Sequence, residues 1–149
     1  KNIYSVILDG DNTRLGINKD LSFSEADRSE NIRRVAEIAK LYVENSQVVI
    51  ASFISPYKKD RLIAKNIISS DDFIEVHVNC AIDECEKRDV KGLYKKARNG
   101  EISDFTGISS PYEAPKSADI EIDTELNDVS SSVTLIFNYL IKKKCLNID

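Results

Sequence analysis

Two aspartates, Asp9 and Asp11, close an apolar run that begins with Ile3, Val6, Ile7 and Leu8. Arg14, Asn18, Arg28, Asn31, Arg33 and Arg34 follow in quick succession. Carboxylates at the end of an apolar strand, followed by forked guanidinium donors, suit a site for anionic, phosphate-like groups, because arginine binds such oxygens bidentately. Taken singly, each charge reads as part of a polar turn or of the solvated face of a helix. The cluster as a whole reads as a site. Two further stretches carry chemistry. Ile54 and Ser55 follow a second apolar run, again at the carboxyl edge of a strand. Residues 88–98, RDVKGLYKKAR, are strongly basic in a chain of net charge −4.

The elements that must position these groups alternate. Residues 3–8 read as a buried strand ending at Asp9, followed by a polar turn, and 18–23 read as a loop. Ser24 with Asp27 three residues on resembles a capping box, opening a helix to about Glu44. Its apolar positions Ile32, Val35, Ala36, Ala39, Tyr42 and Val43 fall on one face. Residues 47–53 are β-branched and apolar, the pattern of a strand buried on both faces of a parallel sheet. Ser55-Pro56 stops it, and a short helix runs from about Lys58 to Ile68. A strand over 73–78, a helical segment over 83–88 and a short helix over 93–98 lead to the Asn99-Gly100 turn. Residues 103–116 are polar loop, and 118–123 form a last strand through Ile120 and Ile122. Asp128 caps a final amphipathic helix carrying Val129, Val133, Ile136, Phe137 and Leu140. It ends in Lys142, Lys143 and Lys144, where cations suit the helix dipole. Strands alternating with helices predict a three-layer α/β domain with a mostly parallel sheet.

The composition narrows the function. A length of 149 residues is that of one domain large enough to bury a core. Apolar residues at 42% and charged residues at 31% are an ordinary soluble balance. The net charge of −4 argues against a general nucleic-acid surface. No apolar run approaches the ~20 residues that span a bilayer, so no membrane partner is expected. The N-terminus, which opens on Lys1, is not a signal peptide. Cys80, Cys85 and Cys145 cannot all pair within one chain and, with a single histidine, match no zinc spacing. Reduced thiols in a cytoplasm or a plastid stroma fit.

LDGDNTR, then F-x-x-x-x-R-x-x-N-x-R-R from Phe23, then SFISPY, then RDVKGLYKKARNGEI and FTGI, occur in that order. Over roughly residues 7–112 they resemble adenylylsulfate kinases, which make 3'-phosphoadenylylsulfate (PAPS) from adenylylsulfate and ATP. One departure is large: the family's phosphate-binding glycine loop, G-x-x-x-x-G-K-[ST], is not in this sequence. The resemblance implies a P-loop-kinase-like domain over 1–149, with a lid at 88–115, whose first strand, glycine loop and first helix precede this sequence. A sheet without its middle strand leaves backbone groups unpaired and apolar faces uncovered, which implies folding together with that unit.

Carried over residue by residue, the resemblance makes Asp11, Asp9 and Ser55 the catalytic candidates. Asp11 lies by the acceptor hydroxyl, to orient or deprotonate it, and Asp9 serves the magnesium–water shell. Asn12, Thr13, Arg14, Arg28 and Asn31 bind adenylylsulfate, Phe23 stacks on its adenine, and Phe105 covers that ring from the other side. Ile54 and Ser55 contact the same nucleotide. Ser55 is described in the family as a phosphoserine intermediate, but direct in-line transfer, with Ser55 as a binding residue, is the preferred reading. In the lid, Lys91 contacts adenylylsulfate, Arg88 lies near the ATP base and Lys95 near phosphates. Asp104 stands where the family has a glycine. The resemblance also implies ATP and Mg2+, a homodimer, and fusion to an ATP sulfurylase in some chains. Two rivals stay open: another small-molecule kinase of this fold, and a non-catalytic nucleotide-binding or regulatory homologue that lacks the glycine loop.

Overall fold

The computed structural model describes residues 3–146 as two compact units, one running to Phe73 and joined by Ser110–Ala114, the other comprising Ile74–Ser109 and the chain from Pro115. The first unit contains β1 (Ser5–Asp9), α1 (Gly10–Leu15), α2 (Glu25–Val43), β2 (Val48–Ser52) and α3 (Lys58–Ile68). β1 and β2 pair in parallel, from Ser5 opposite Val48 to Asp9 opposite Ser52. The crossover is α2, whose apolar stripe buries Ile32, Val35, Ala36 and Ala39. Ile32 and Ala36 close on Ala64 of α3, with Phe53, Ile67, Ile68 and Phe73 packed around them. Burying an isoleucine side chain of this kind contributes roughly 1.5–3 kcal/mol. Ser24 caps α2 by accepting the Asp27 N–H at 3.2 Å, as its spacing from Asp27 predicts.

Three expectations change here. Residues 10–12 are not a simple turn but open a short helix, α1, because Asp9 Oδ1 accepts the N–H groups of Asp11 and Asn12, each at 3.1 Å. A one-turn helix beginning with Gly, Asp and Asn has poor intrinsic propensity and stands on its cap. β1 and β2 are not buried strands: Ile7 and Ile50, partners in register, are 69% and 52% exposed. Among the described residues their sheet has two strands, and α2 and α3 leave that pair of side chains open to solvent. Tyr42, at the end of the α2 stripe, is likewise exposed.

The second unit contains β3 (Val76–Asn79), α4 (Ile82–Arg88), α5 (Leu93–Arg98), β4 (Ile120–Asp123) and α6 (Val129–Lys142). β3 starts three residues later than its apolar run, since Phe73 is drawn into the α2–α3 core. β3 and β4 are parallel, from Val76 opposite Ile120 to Asn79 opposite Asp123, and Ile120, Ile122 and His77 are buried. Asp128 caps α6 through the Ser131 N–H at 2.7 Å. The four strands among the described residues are thus in parallel pairs and alternate with helices, the α/β class the pattern predicts. No helix among the described residues is long and apolar enough to cross a membrane.

Candidate functional site

The carboxyl ends of β1 and β2 open into a cavity of about 180 Å³. It is lined by Asp9, Gly10, Asp11 and Arg14 from one side, by Phe23, Arg28, Asn31 and Ile32 from α2 and its approach, and by residues 52–56. Ligands of open parallel sheets gather at this edge. Both arginines of the lining are held by main-chain carbonyls. Arg14 Nη1 donates to the carbonyls of Leu21 and Ser22 at 3.2 and 2.9 Å, and Arg28 Nε donates to the Phe23 carbonyl at 2.9 Å. Both guanidinium groups sit against the Phe23 ring, at 4.4 and 5.5 Å from its centroid. Burial lowers the pKa of Arg14, and the like charge of Arg28 lowers it further. The charges of Asp27 and Asp11 act on Arg14 in the opposite direction.

The loop before α2 is fastened for the purpose. Asn18, fully buried, donates from Nδ2 to Asn31 Oδ1 at 3.0 Å and so fixes the Asn31 amide. Arg34 ties Asp20 to Glu30 with bonds of 2.8–2.9 Å, and Arg33 pairs with Glu30 at 2.7 Å. These two arginines are the helix-surface groups their spacing suggested, and they hold the Glu30 carboxyl down at about 2. The Asp27 carboxylate accepts from both Ser22 and Ser24 hydroxyls. Of these supporting groups Asn18 stands in the polar cluster and Asp27 in the Ser24–Asp27 spacing, whereas Ser22 does not stand out in the sequence, because it acts on a neighbour rather than on the cavity.

Of the candidate residues, Asp9, Asp11, Arg14, Phe23, Arg28, Asn31, Ile54 and Ser55 meet at the cavity. Asn12 and Thr13 do not. Asn12 is exposed, and the buried Thr13 hydroxyl bonds the Gly10 carbonyl at 3.1 Å, along its own helix. Asp9 does double duty: its two hydrogen bonds as the α1 cap both land on Oδ1. Ser55 lies in a left-handed backbone conformation, φ 39°, and the bases lining the cavity with it are Asp9 and Asp11. His77 belongs to β3 in the other unit.

Arg88, Lys91, Lys95 and Phe105 all lie in the second unit. Arg88 bonds Glu84 at 3.1 Å and both the hydroxyl and the carbonyl of Thr124. Gly92 supplies no cap to α5; the Asp89 carboxylate does so instead, accepting the N–H groups of Tyr94 and Lys95 at 3.1 Å. Burial pushes the Asp89 carboxyl up, and the N–H groups of Lys95, Tyr94 and Leu93 outweigh it and hold it low. The Lys91 and Lys95 side chains are exposed. Phe105 is half-buried and meets Tyr94 edge to face, with centroids 5.0 Å apart. Burial pushes the Tyr94 hydroxyl up to about 12, with a hydrogen bond to Cys85 acting in the same direction. Asp104, at φ 55°, lies in the left-handed region that favours glycine.

The adenylylsulphate kinase family model matches residues 1–123. An adenylyl-sulfate kinase of Staphylococcus epidermidis is 56% identical over 133 residues, covering 89% of this chain and 67% of that protein. One of Geotalea daltonii is 50% identical over 149 residues, covering the whole chain and 73% of that protein. Among solved structures, the Mycobacterium tuberculosis APS kinase in complex with AMPPNP and APS superposes with a TM-score of 0.87 at 40% identity, over 93% of this chain and 81% of that one.

Proposed function

From the premise that the chain belongs to the adenylylsulphate kinase family, we propose that it transfers the γ-phosphoryl group of ATP to the 3'-hydroxyl of adenylylsulfate, giving ADP and PAPS. The observation that carries this is the convergence of Arg14 and Arg28 on Phe23, over a cavity that also holds Asp11. An aromatic face, two guanidinium groups and a carboxylate match an acceptor with an adenine, an anionic tail and a hydroxyl to be deprotonated. In this reading Phe23 stacks on the base, while Arg14, Arg28 and Asn31 hold the anionic end. Asp11 accepts a hydrogen bond from the 3'-hydroxyl and takes its proton as the oxygen bonds to phosphorus. Ile54 and Ser55 close the wall as binding residues, so transfer is direct. By the family resemblance, Lys91 and Phe105 are assigned to adenylylsulfate and Arg88 and Lys95 to ATP.

Magnesium fits the donor set. A carboxylate at the end of a strand, Asp9, is the kind of hard oxygen donor that serves an ion whose main ligands are waters and nucleotide phosphates. Asp9, whose Oδ1 is taken by the cap, would present Oδ2 to such an ion's water. When bound, magnesium neutralises charge building on the phosphates. The enzyme is taken to work as a homodimer, a reading that rests on the family resemblance.

The test is coupled ADP release with ATP, magnesium and adenylylsulfate, on this chain and on this chain preceded by a relative's strand, glycine loop and helix. Turnover with adenylylsulfate, and none with a sugar acceptor, is the expected outcome. Tight adenylylsulfate binding without turnover in either form would replace the kinase reading with the regulatory one.

A further inference from the structure

α3 starts without a cap of its own: Tyr57 at its N-cap position offers no side-chain acceptor. The Lys58 N–H is taken instead by Glu113 Oε2 at 2.6 Å, from 55 residues further along the chain. The Glu113 N–H in turn donates to the Pro56 carbonyl at 2.8 Å. Arg61, one turn into α3, spans both segments, donating from Nη1 to the Ser55 carbonyl at 2.8 Å and from Nη2 to the Glu113 carbonyl at 2.6 Å. These four bonds enclose the turn in which Ser55 takes its φ of 39°. An L side chain disfavours that conformation, which persists only where the surroundings over-determine it. Ile54, Ser55 and Pro56 are cavity wall, and Glu113 belongs to Ser110–Ala114, the stretch at the end of the candidate lid that packs with the cavity's own unit.

We propose that Arg61 and Glu113 are positioning residues for the acceptor nucleotide. They hold the Ile54–Ser55 wall in its left-handed turn, and so make the end of the lid segment part of the acceptor site. The proposal rests on the kinase reading above. Neither residue touches the cavity, so their effect passes through the backbone at residues 55–58. A charge-assisted clamp of this kind places a binding wall to within the fraction of an ångström that affinity depends on.

The experiment uses the natural full-length protein. In it, Glu113→Ala and Arg61→Ala are each expected to raise the KM for adenylylsulfate about tenfold, with the KM for ATP and kcat held within about twofold. The double variant is expected to be no worse than about the poorer single one, as for partners in one network. Glu113→Gln keeps a carbonyl oxygen for the Lys58 N–H and is expected to return within about threefold of the unmodified protein. Hydrogen exchange at the Lys58 amide should accelerate in Glu113→Ala and not in Glu113→Gln. An unchanged KM for adenylylsulfate in Glu113→Ala, or equal losses for both substrates, overturns the proposal in favour of a merely structural clamp. Should Glu113→Ala not fold, Arg61→Lys decides, since one ammonium cannot reproduce the fork to both carbonyls; a normal KM there overturns it too. Failure of the unmodified protein to bind adenylylsulfate would overturn the kinase reading as well, and is recognised by its appearing before any substitution.

Discussion

In the unit built on β1 and β2, Arg14 and Arg28 donate to main-chain carbonyls, whereas in the unit built on β3 and β4, Arg98 is paired with the Glu86 carboxylate and Arg88 is shared between Glu84 and Thr124. A guanidinium group on a carbonyl keeps its full charge, and the cavity sets two such groups in one lining with the carboxylates of Asp9 and Asp11. A guanidinium group on a glutamate is already neutralised, and the pair sits in water, where such pairs are weak and readily exchanged. The same residue type therefore does two jobs. The first arrangement suits standing affinity and the second suits changing partners, as the proposed acceptor site and lid would respectively require.

The most damaging test of that contrast is Asp11→Asn, which leaves the cavity's shape but removes its base. Turnover in the ADP-release assay is expected to fall about 10²–10⁴-fold with the fold intact by circular dichroism; near-normal turnover would take Asp11 out of the chemistry. Arg28→Ala comes next. It should weaken adenylylsulfate by about 30–100-fold and ATP hardly at all, read by calorimetry, because a buried, carbonyl-held cation is lost without a substitute. Equal losses for both nucleotides would erase the distinction between the two regions.

Tyr94 tests the second unit by pH. Its raised pKa means that the folded state favours the neutral phenol. Its contribution to stability is complete below the unfolded value near 10 and is lost as pH rises through about 12. Absorbance titration should show a phase near pH 12 that Tyr94→Phe abolishes; a phase that survives the substitution belongs to another tyrosine. The smallest effect is expected for Arg98→Ala, whose partner Glu86 shares an exposed surface. A shift in Tm within about 2 °C, shrinking further in 0.5 M salt, would fit an exchangeable pair. A large shift would mean that the basic segment is as firmly built as the cavity.

Much of this was legible in the chain. α3 occupies Lys58–Ile68 as the break at Ser55-Pro56 and the apolar spacing indicate, and the caps of α2 and α6 are where Ser24 and Asp128 place them. Eight candidates converge on one cavity because the motif spacings, seven residues or fewer within each group, survive folding into a strand end and a helix start. The illegible parts have physical reasons. A continuous apolar run cannot say whether both faces are covered, so Ile7 and Ile50 read as buried and are not. α1 depends on a single carboxylate cap, which outweighs the weak propensity of its residues. The Arg61–Glu113 clamp joins positions 52 residues apart, beyond any local pattern. Asn12 and Thr13, adjacent to true cavity residues, turn away because a helix rotates about 100° per residue and only Gly10, Asp11 and Arg14 share the inner face of α1.

Asp104 takes φ 55°, one residue before Phe105. Aspartate is among the few residues that tolerate the left-handed region, so the turn before Phe105 bends without a glycine. A residue with a side chain has fewer backbone states open to it in the unfolded chain than glycine has. Part of the ordering that this turn needs is therefore already done before the chain folds.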